Sequence, residues 1–213
     1  MNILSSLFTN PIDTLITLLA LVVAVSVHEF AHAWAAVQLG DDTPRHQGRL
    51  TLNPAAHLDP IGSLFFILVG FGWGKPVQYN PMFLKRRSDE LLIALAGPAS
   101  NLLLAIVFNL LAVVLSKISP LANLGPLITM SNWNILLAAF NCTPIPPLDG
   151  SAVVAYFYPP YRSLIGSQIG LVLLLIVVFV PFLGGNTILD FILGPVQNFL
   201  FHLTHLFGAI PYF

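Results

Sequence analysis

The chain has 213 residues, of which 56% are hydrophobic and only 8% charged, with eight Lys+Arg against nine Asp+Glu. A soluble domain carries about 25% charged residues, so no ordinary water-facing surface can be assembled from this composition. The apolar content and the single cysteine, Cys142, exclude a disordered chain and a disulfide-stapled scaffold, and a net charge of -1 excludes a nucleic-acid-binding surface.

A helix needs about 20 apolar residues to cross the hydrocarbon core of a bilayer. Residues 14–39 supply the first such stretch, with Glu29 its only formal charge. Residues 61–74 (IGSLFFILVGFGWG) are apolar over too short a length to span, and read as a re-entrant segment. The following GWGKPVQYNP (72–81) reads as a turn with extended flanks, a candidate β-hairpin. Residues 89–116 form a second full span. Residues 128–157 form a third, interrupted by Pro144, Pro146 and Pro147, and 163–183 and 187–207 form two more.

The expected fold is therefore an all-α polytopic membrane protein, residues 1–213 forming one domain with five to six transmembrane helices and a re-entrant hairpin. Charge orients it. If 61–74 turns back, Arg45, Arg49, Lys75, Lys85, Arg86, Arg87 and Arg162 share one side and Lys117 alone the other. The positive-inside rule prefers that arrangement over a crossing, which places 40–88 in the cytoplasm of a cell membrane.

His28-Glu29-Phe30-Ala31-His32 lies inside the first span. On a helix, positions i and i+4 share a face one turn apart, so both imidazoles can bind one metal ion. The Glu between them can serve as base toward a metal-activated water. With this composition about 0.002 chance matches to H-E-x-x-H are expected. Ionisable groups at membrane depth are costly and mark function by default, although a Glu–His pair neutralising itself between helices is the plainer alternative.

A catalytic zinc site needs three protein ligands and an open fourth position. Asp149, in NCTPIPPLDG, is the one other carboxylate inside an apolar span and away from its first residues. His28 lies about 16 Å from the cytoplasmic end of its helix and Asp149 about 12 Å from the same face, at 1.5 Å per residue. Those depths agree. The prolines before Asp149 free backbone groups that a membrane tolerates only against protein or water, as a hydrated cavity requires.

HEFAH in one span followed by NxxPxPPLDG in a later one resembles the site-2 protease family of intramembrane zinc metalloproteases. RLTLNPAAHLDPIG (49–62), GWGKPVQYNP (72–81) and LAGPASN (95–101) are similar to segments of its short members, so neither a PDZ nor a CBS domain is expected. The resemblance implies His28, His32 and Asp149 as ligands of one zinc ion per chain and Glu29 as catalytic base. It also implies a role for Asn141 in holding an extended substrate backbone and for 72–81 in presenting it.

Asn101 sits at a depth similar to the metal site and is a second candidate for substrate binding, or else a polar link between helices. Asn141 has an equally plain alternative, capping a freed peptide group. Cys142 reads as an inert buried thiol and His202 with His205 as an interfacial pair. His57 and Asp59 lie at the start of the short segment, and either could hold it in place.

The expected function is a zinc endopeptidase acting on a membrane-protein substrate with a transmembrane segment, such as an anchored regulator or a signal-peptide remnant. Its other partner is the lipid bilayer. Two rivals are a non-catalytic zinc-binding scaffold and a transporter using the same His and carboxylates, although no repeated halves are evident.

Overall fold

The structure, a computed structural model, describes residues 3–119, 121–180, 187, 191, 193–195, 197–199 and 202. In chain order its helices are α1 (Ile3–Thr9), α2 (Pro11–Gln38), α3 (Thr43–His46), α4 (Pro54–His57) and α5 (Pro60–Val69). They continue with α6 (Arg87–Ile118), α7 (Gly125–Asn141), α8 (Gly150–Phe157) and α9 (Gln168–Phe179). Among the described residues there is no strand, only one isolated antiparallel bridge between Leu58 and Gly74.

Helices α2, α6 and α7 pack pairwise and form the body of the fold. Among the described residues, α2 and α6 are the helices long and apolar enough to cross a membrane, at 28 and 32 residues. Their inner faces are built from rows spaced four residues apart. On α2 the buried row is Ala20, Ala24, His28, His32 and Ala36; on α6 it is Ile93, Gly97, Asn101, Ala105 and Asn109. Small side chains at this spacing let two helix backbones approach closely, which is how helices associate where lipid is the solvent. The large aliphatics point the other way: Leu15, Leu19, Leu103 and Leu110 are all exposed. An apolar exterior around a core of Ala, Gly, Asn, Ser and His suits a bilayer and would be unfavourable in water.

The broken third segment takes the form that its prolines dictate. Helix α7 stops at Asn141, α8 starts at Gly150, and Pro144, Pro146 and Pro147 occupy the irregular link. Proline lacks the N–H a helix interior needs, so the chain is released there. The same link puts Asp149 at the N-terminal end of α8.

The short apolar segment is a helix bounded by local signals. Asp59 caps α5 by accepting from the Gly62 N–H at 2.8 Å, Pro60 opens it, and Gly70 closes it in the left-handed conformation at φ 83°. The chain then returns along its own path. A Cβ on Gly62 would collide with the Trp73 carbonyl and one on Gly72 with the Gly62 carbonyl, so these two glycines permit the close approach.

The β-hairpin expected over 72–81 does not form among the described residues. The reason lies in where its polar groups go: the Lys75 and Pro76 carbonyls and the Val77 and Asn80 N–H groups all bond side chains. No ladder is left for them to make. Of the two last expected spans, 163–183 yields α9 alone, and 187–207 lies mostly outside the described residues, as does His205.

Candidate metal centre

The row on α2 carries His28 and His32 to the contact with α6, and each imidazole is held there by its Nδ1. His28 Nδ1 lies 2.6 Å from Asn101 Oδ1, and His32 Nδ1 lies 2.8 Å from the Ile93 carbonyl. The orientation of the Asn101 amide is fixed independently, because its Nδ2 donates to the Ala24 carbonyl at 3.0 Å and to Asn134 Oδ1 at 2.9 Å. Asn134 is fixed in turn by donating to the Met130 carbonyl at 2.8 Å. Both imidazoles therefore donate from Nδ1 to an oxygen, and both Nε2 atoms are left as lone-pair donors toward a metal.

Those two Nε2 atoms are 3.0 Å apart, and Asp149 Oδ2 lies 3.1 Å from one and 3.3 Å from the other. His28, His32 and Asp149 form the one cluster of potential metal ligands among the described residues. A tetrahedral zinc ion with bonds of about 2.0–2.1 Å has ligand-to-ligand edges of about 3.3 Å. The triangle has that size. With both Nε2 atoms unprotonated, three electron-rich atoms face one another around the buried Asp149 Oδ2, and a cation among them relieves their repulsion. Two neutral imidazoles and a carboxylate are a donor set that zinc takes. The residues fit the ion.

Gly97 makes room for this centre. A Cβ there would lie 2.6 Å from His28 Cε1 and closer still to His32 Nε2. The sequence singled out Asn101 in GPASN but not Gly97; the available signal is that Gly97 and Asn101 fall on one four-residue row with Ile93.

Glu29 is half-buried beside the histidines, and its Oε2 accepts the Val77 N–H at 3.1 Å. Val77 belongs to an extended strap, residues 74–80, stretched beside the site. Lys75 N–H donates to the His57 carbonyl at 2.7 Å, and His57 Nε2 bonds the Thr51 carbonyl at 2.6 Å. His57 and Asp59 thus hold the chain on either side of α5. Arg49 reaches the Lys75 carbonyl and, at 2.7 Å, the Pro76 carbonyl. Burial lowers the pKa of the Arg49 guanidinium from its usual value, and the nearby Glu29 carboxylate works in the opposite direction.

Asn101, expected as a donor to substrate or as a link between helices, is fully buried with its amide taken up by His28, Ala24 and Asn134. It stands behind His28, one of the three candidate metal ligands. Asn141 ends α7, half-buried, and its Nδ2 bonds back to the Leu137 carbonyl at 3.0 Å. Cys142, read as buried, is exposed.

No family model and no solved structure matches the chain. Curated proteins do. "Putative zinc metalloprotease YwhC" of Bacillus subtilis is 40% identical over 151 residues, 67% of this chain and 68% of that protein. "Putative zinc metalloprotease Rip2" of Mycobacterium tuberculosis is 31% identical over 173 residues, 76% of this chain and 66% of the relative. The archaeal "Putative zinc metalloprotease MJ0611" of Methanocaldococcus jannaschii is 44% identical over 64 residues, 32% of its length. With such relatives, and with HEFAH and the distant LDG aspartate brought to one zinc-sized triangle, the chain belongs to the site-2 protease family of zinc metalloproteases.

Proposed function

We propose that the protein is an intramembrane zinc endopeptidase. It cleaves peptide bonds within or beside a transmembrane segment of membrane-anchored regulators or signal-peptide remnants. The observation that carries this reading is the convergence of His28 Nε2, His32 Nε2 and Asp149 Oδ2 within 3.3 Å of one another, with the Glu29 carboxylate on the adjacent residue.

His28, His32 and Asp149 would hold one zinc ion, three protein ligands being the complement of a catalytic zinc site. Bound there, zinc supplies Lewis acidity, bringing the pKa of water to about 7 and polarising a carbonyl. Glu29 accepts the proton of the attacking water and returns it to the leaving amine, one carboxylate serving as base and then as acid. The apolar walls of α2 and α6 keep bulk water away, which strengthens each electrostatic contact inside.

A helical substrate hides its carbonyls in internal hydrogen bonds and must unwind before attack. The strap then offers partners: the backbone N–H and C=O of Gln78 and Tyr79 bond no group among the described residues. An unwound segment can lie along this edge in extended form, with Asn141 holding its backbone from the other side of the site. The basic loops support a multi-pass protein in the cell membrane with its site nearer the cytoplasmic face.

Glu29→Gln tests the reading. Cleavage should fall to background while zinc per chain stays at the wild-type level, because Glu29 is not a ligand. A scaffold would be indifferent to the change, and a Glu29→Gln variant that still cleaves would overturn the assignment.

A further inference from the structure

Glu29 Oε2 accepts from Val77 N, and the carbonyl of the same peptide group, that of Pro76, accepts from Arg49 Nη2 at 2.7 Å. A carboxylate and a guanidinium therefore grip opposite ends of one peptide bond. The negative group sits at its N–H end and the positive group at its C=O end, so both charges align with the peptide dipole and each polarises the bond the other makes. Pro76 has no N–H, which leaves that of Val77 as the next donor along the strap after that of Lys75.

Arg49 is placed for this and for little else. It is 4% exposed, has no carboxylate within ion-pair distance among the described residues, and spends Nη2 on two strap carbonyls. A second buried charge fixes the far end of the strap. Asp41, fully buried, accepts from Asn80 N at 2.6 Å and from Thr43 N at 2.9 Å. The strap is thus anchored from residues 26 and 39 positions away in the chain. Glu29 Oε1 has no hydrogen-bond partner among the described residues.

We infer that Arg49 is a positioning residue that orients the Glu29 carboxylate through the single peptide group Pro76–Val77, an inference that rests on Glu29 being the proton acceptor. The peptide pins Oε2 and leaves Oε1 as the oxygen that takes the proton. Without Arg49 the strap carbonyls lose their buried partner, the peptide turns, and the carboxylate gains rotational freedom at the moment its geometry matters.

The test uses the full chain in detergent and two readouts. The first is amide exchange at Val77 in metal-free protein, where Arg49→Gln should speed exchange roughly tenfold and Glu29→Gln should also raise it. The second is zinc-dependent cleavage of a panel of single-span peptides carrying Asn or Pro inside the apolar helix. Arg49→Gln and Val77→Pro should each lower kcat roughly ten- to hundredfold with zinc content unchanged. The double variant should be no worse than the weaker single one, since both act on one contact. Arg49→Lys, which keeps the charge and reaches one carbonyl, should recover part of the loss.

Unchanged Val77 exchange in Arg49→Gln overturns the inference, as do losses that multiply in the double variant, that come with lost zinc, or that appear in KM with kcat at the wild-type value. If Arg49→Gln does not fold, Val77→Pro decides, and wild-type kcat in that variant overturns it equally. A dead Glu29→Gln beside fully active Arg49→Gln and Val77→Pro would sink this inference alone. No zinc-dependent cleavage by wild type across the panel, or full activity in Glu29→Gln, would sink the endopeptidase reading and the inference with it.

Discussion

The metal centre has two flanks built on different principles. On one side stands a helical wall, where α2 and α6 satisfy their backbone internally and side chains in four-residue rows meet across a short gap. On the other lies the strap 74–80, which makes no ladder and is held by buried side chains gripping its peptide groups. The wall positions His28 and His32, and it cannot shift without separating His28 from Asn101 or His32 from Ile93. The strap holds the Glu29 carboxylate through Val77, and neither histidine takes its hydrogen bond from it. Damage to the wall should therefore remove the metal, whereas damage to the strap should leave the metal and slow turnover.

The largest effect tests the wall at its ligands. Asp149→Ala should reduce zinc from about one per purified chain to near zero, because two imidazoles alone leave the site short of the three ligands catalytic zinc uses. Full retention of zinc would mean the triangle is not the centre. Gly97→Ala should come close to the same loss through sterics alone. Alanine is favoured over glycine inside a helix by about 0.5–1 kcal/mol, so propensity predicts a more stable α6. The added Cβ would fall 2.6 Å from His28 Cε1 and nearer to His32, and that overlap should dominate. Metal analysis beside a melting curve separates the two effects.

Asn101→Leu should act more gently. It removes the acceptor that fixes the His28 tautomer but leaves all three ligands, and loss of such a supporting bond typically costs about 10–100-fold in metal affinity. Competition with a chelator of known affinity measures it, and at saturating zinc occupancy should return to one. An unchanged affinity would mean His28 is held by its helix alone.

The two flanks also differ in how far they can be read from sequence. HEFAH was legible because helix geometry alone puts residues 28 and 32 on one face. Asp149 was legible because a carboxylate between apolar residues and prolines has few other reasons to be there. Asn101 stood out as a polar group at the right depth, yet its role depended on which neighbour its amide met, and depth carries no such information. Gly97 was hidden because its importance is an absent atom.

On the strap side, Arg49 entered the sequence reading only as one of seven positive charges, and Asp41 did not enter at all. Both act on backbone groups far along the chain, and backbone partners leave no signature in residue types. The expected β-hairpin failed for the same reason. Alternation and turn residues announce extended chain, but they do not say whether its hydrogen bonds go to a neighbouring strand or to a buried guanidinium.

The smallest expected effect checks the outer surface of the wall. Leu103 and Ala105 are two residues apart on α6, yet Leu103 is 63% exposed and Ala105 is fully buried. In water, trimming an exposed leucine reduces unfavourable apolar surface; in a bilayer the surrounding tails are as apolar as the side chain, so little changes. Leu103→Ala should leave zinc content and cleavage at wild-type values and shift stability by no more than about 0.5 kcal/mol, measured by thermal unfolding in lipid nanodiscs. Ala105→Leu should instead cost about 1–3 kcal/mol by forcing α6 away from α7. If Leu103→Ala proved as costly as Ala105→Leu, that face of α6 would be packed against protein rather than lipid. The helical wall would then have a neighbour on its outer side as well as a metal on its inner one.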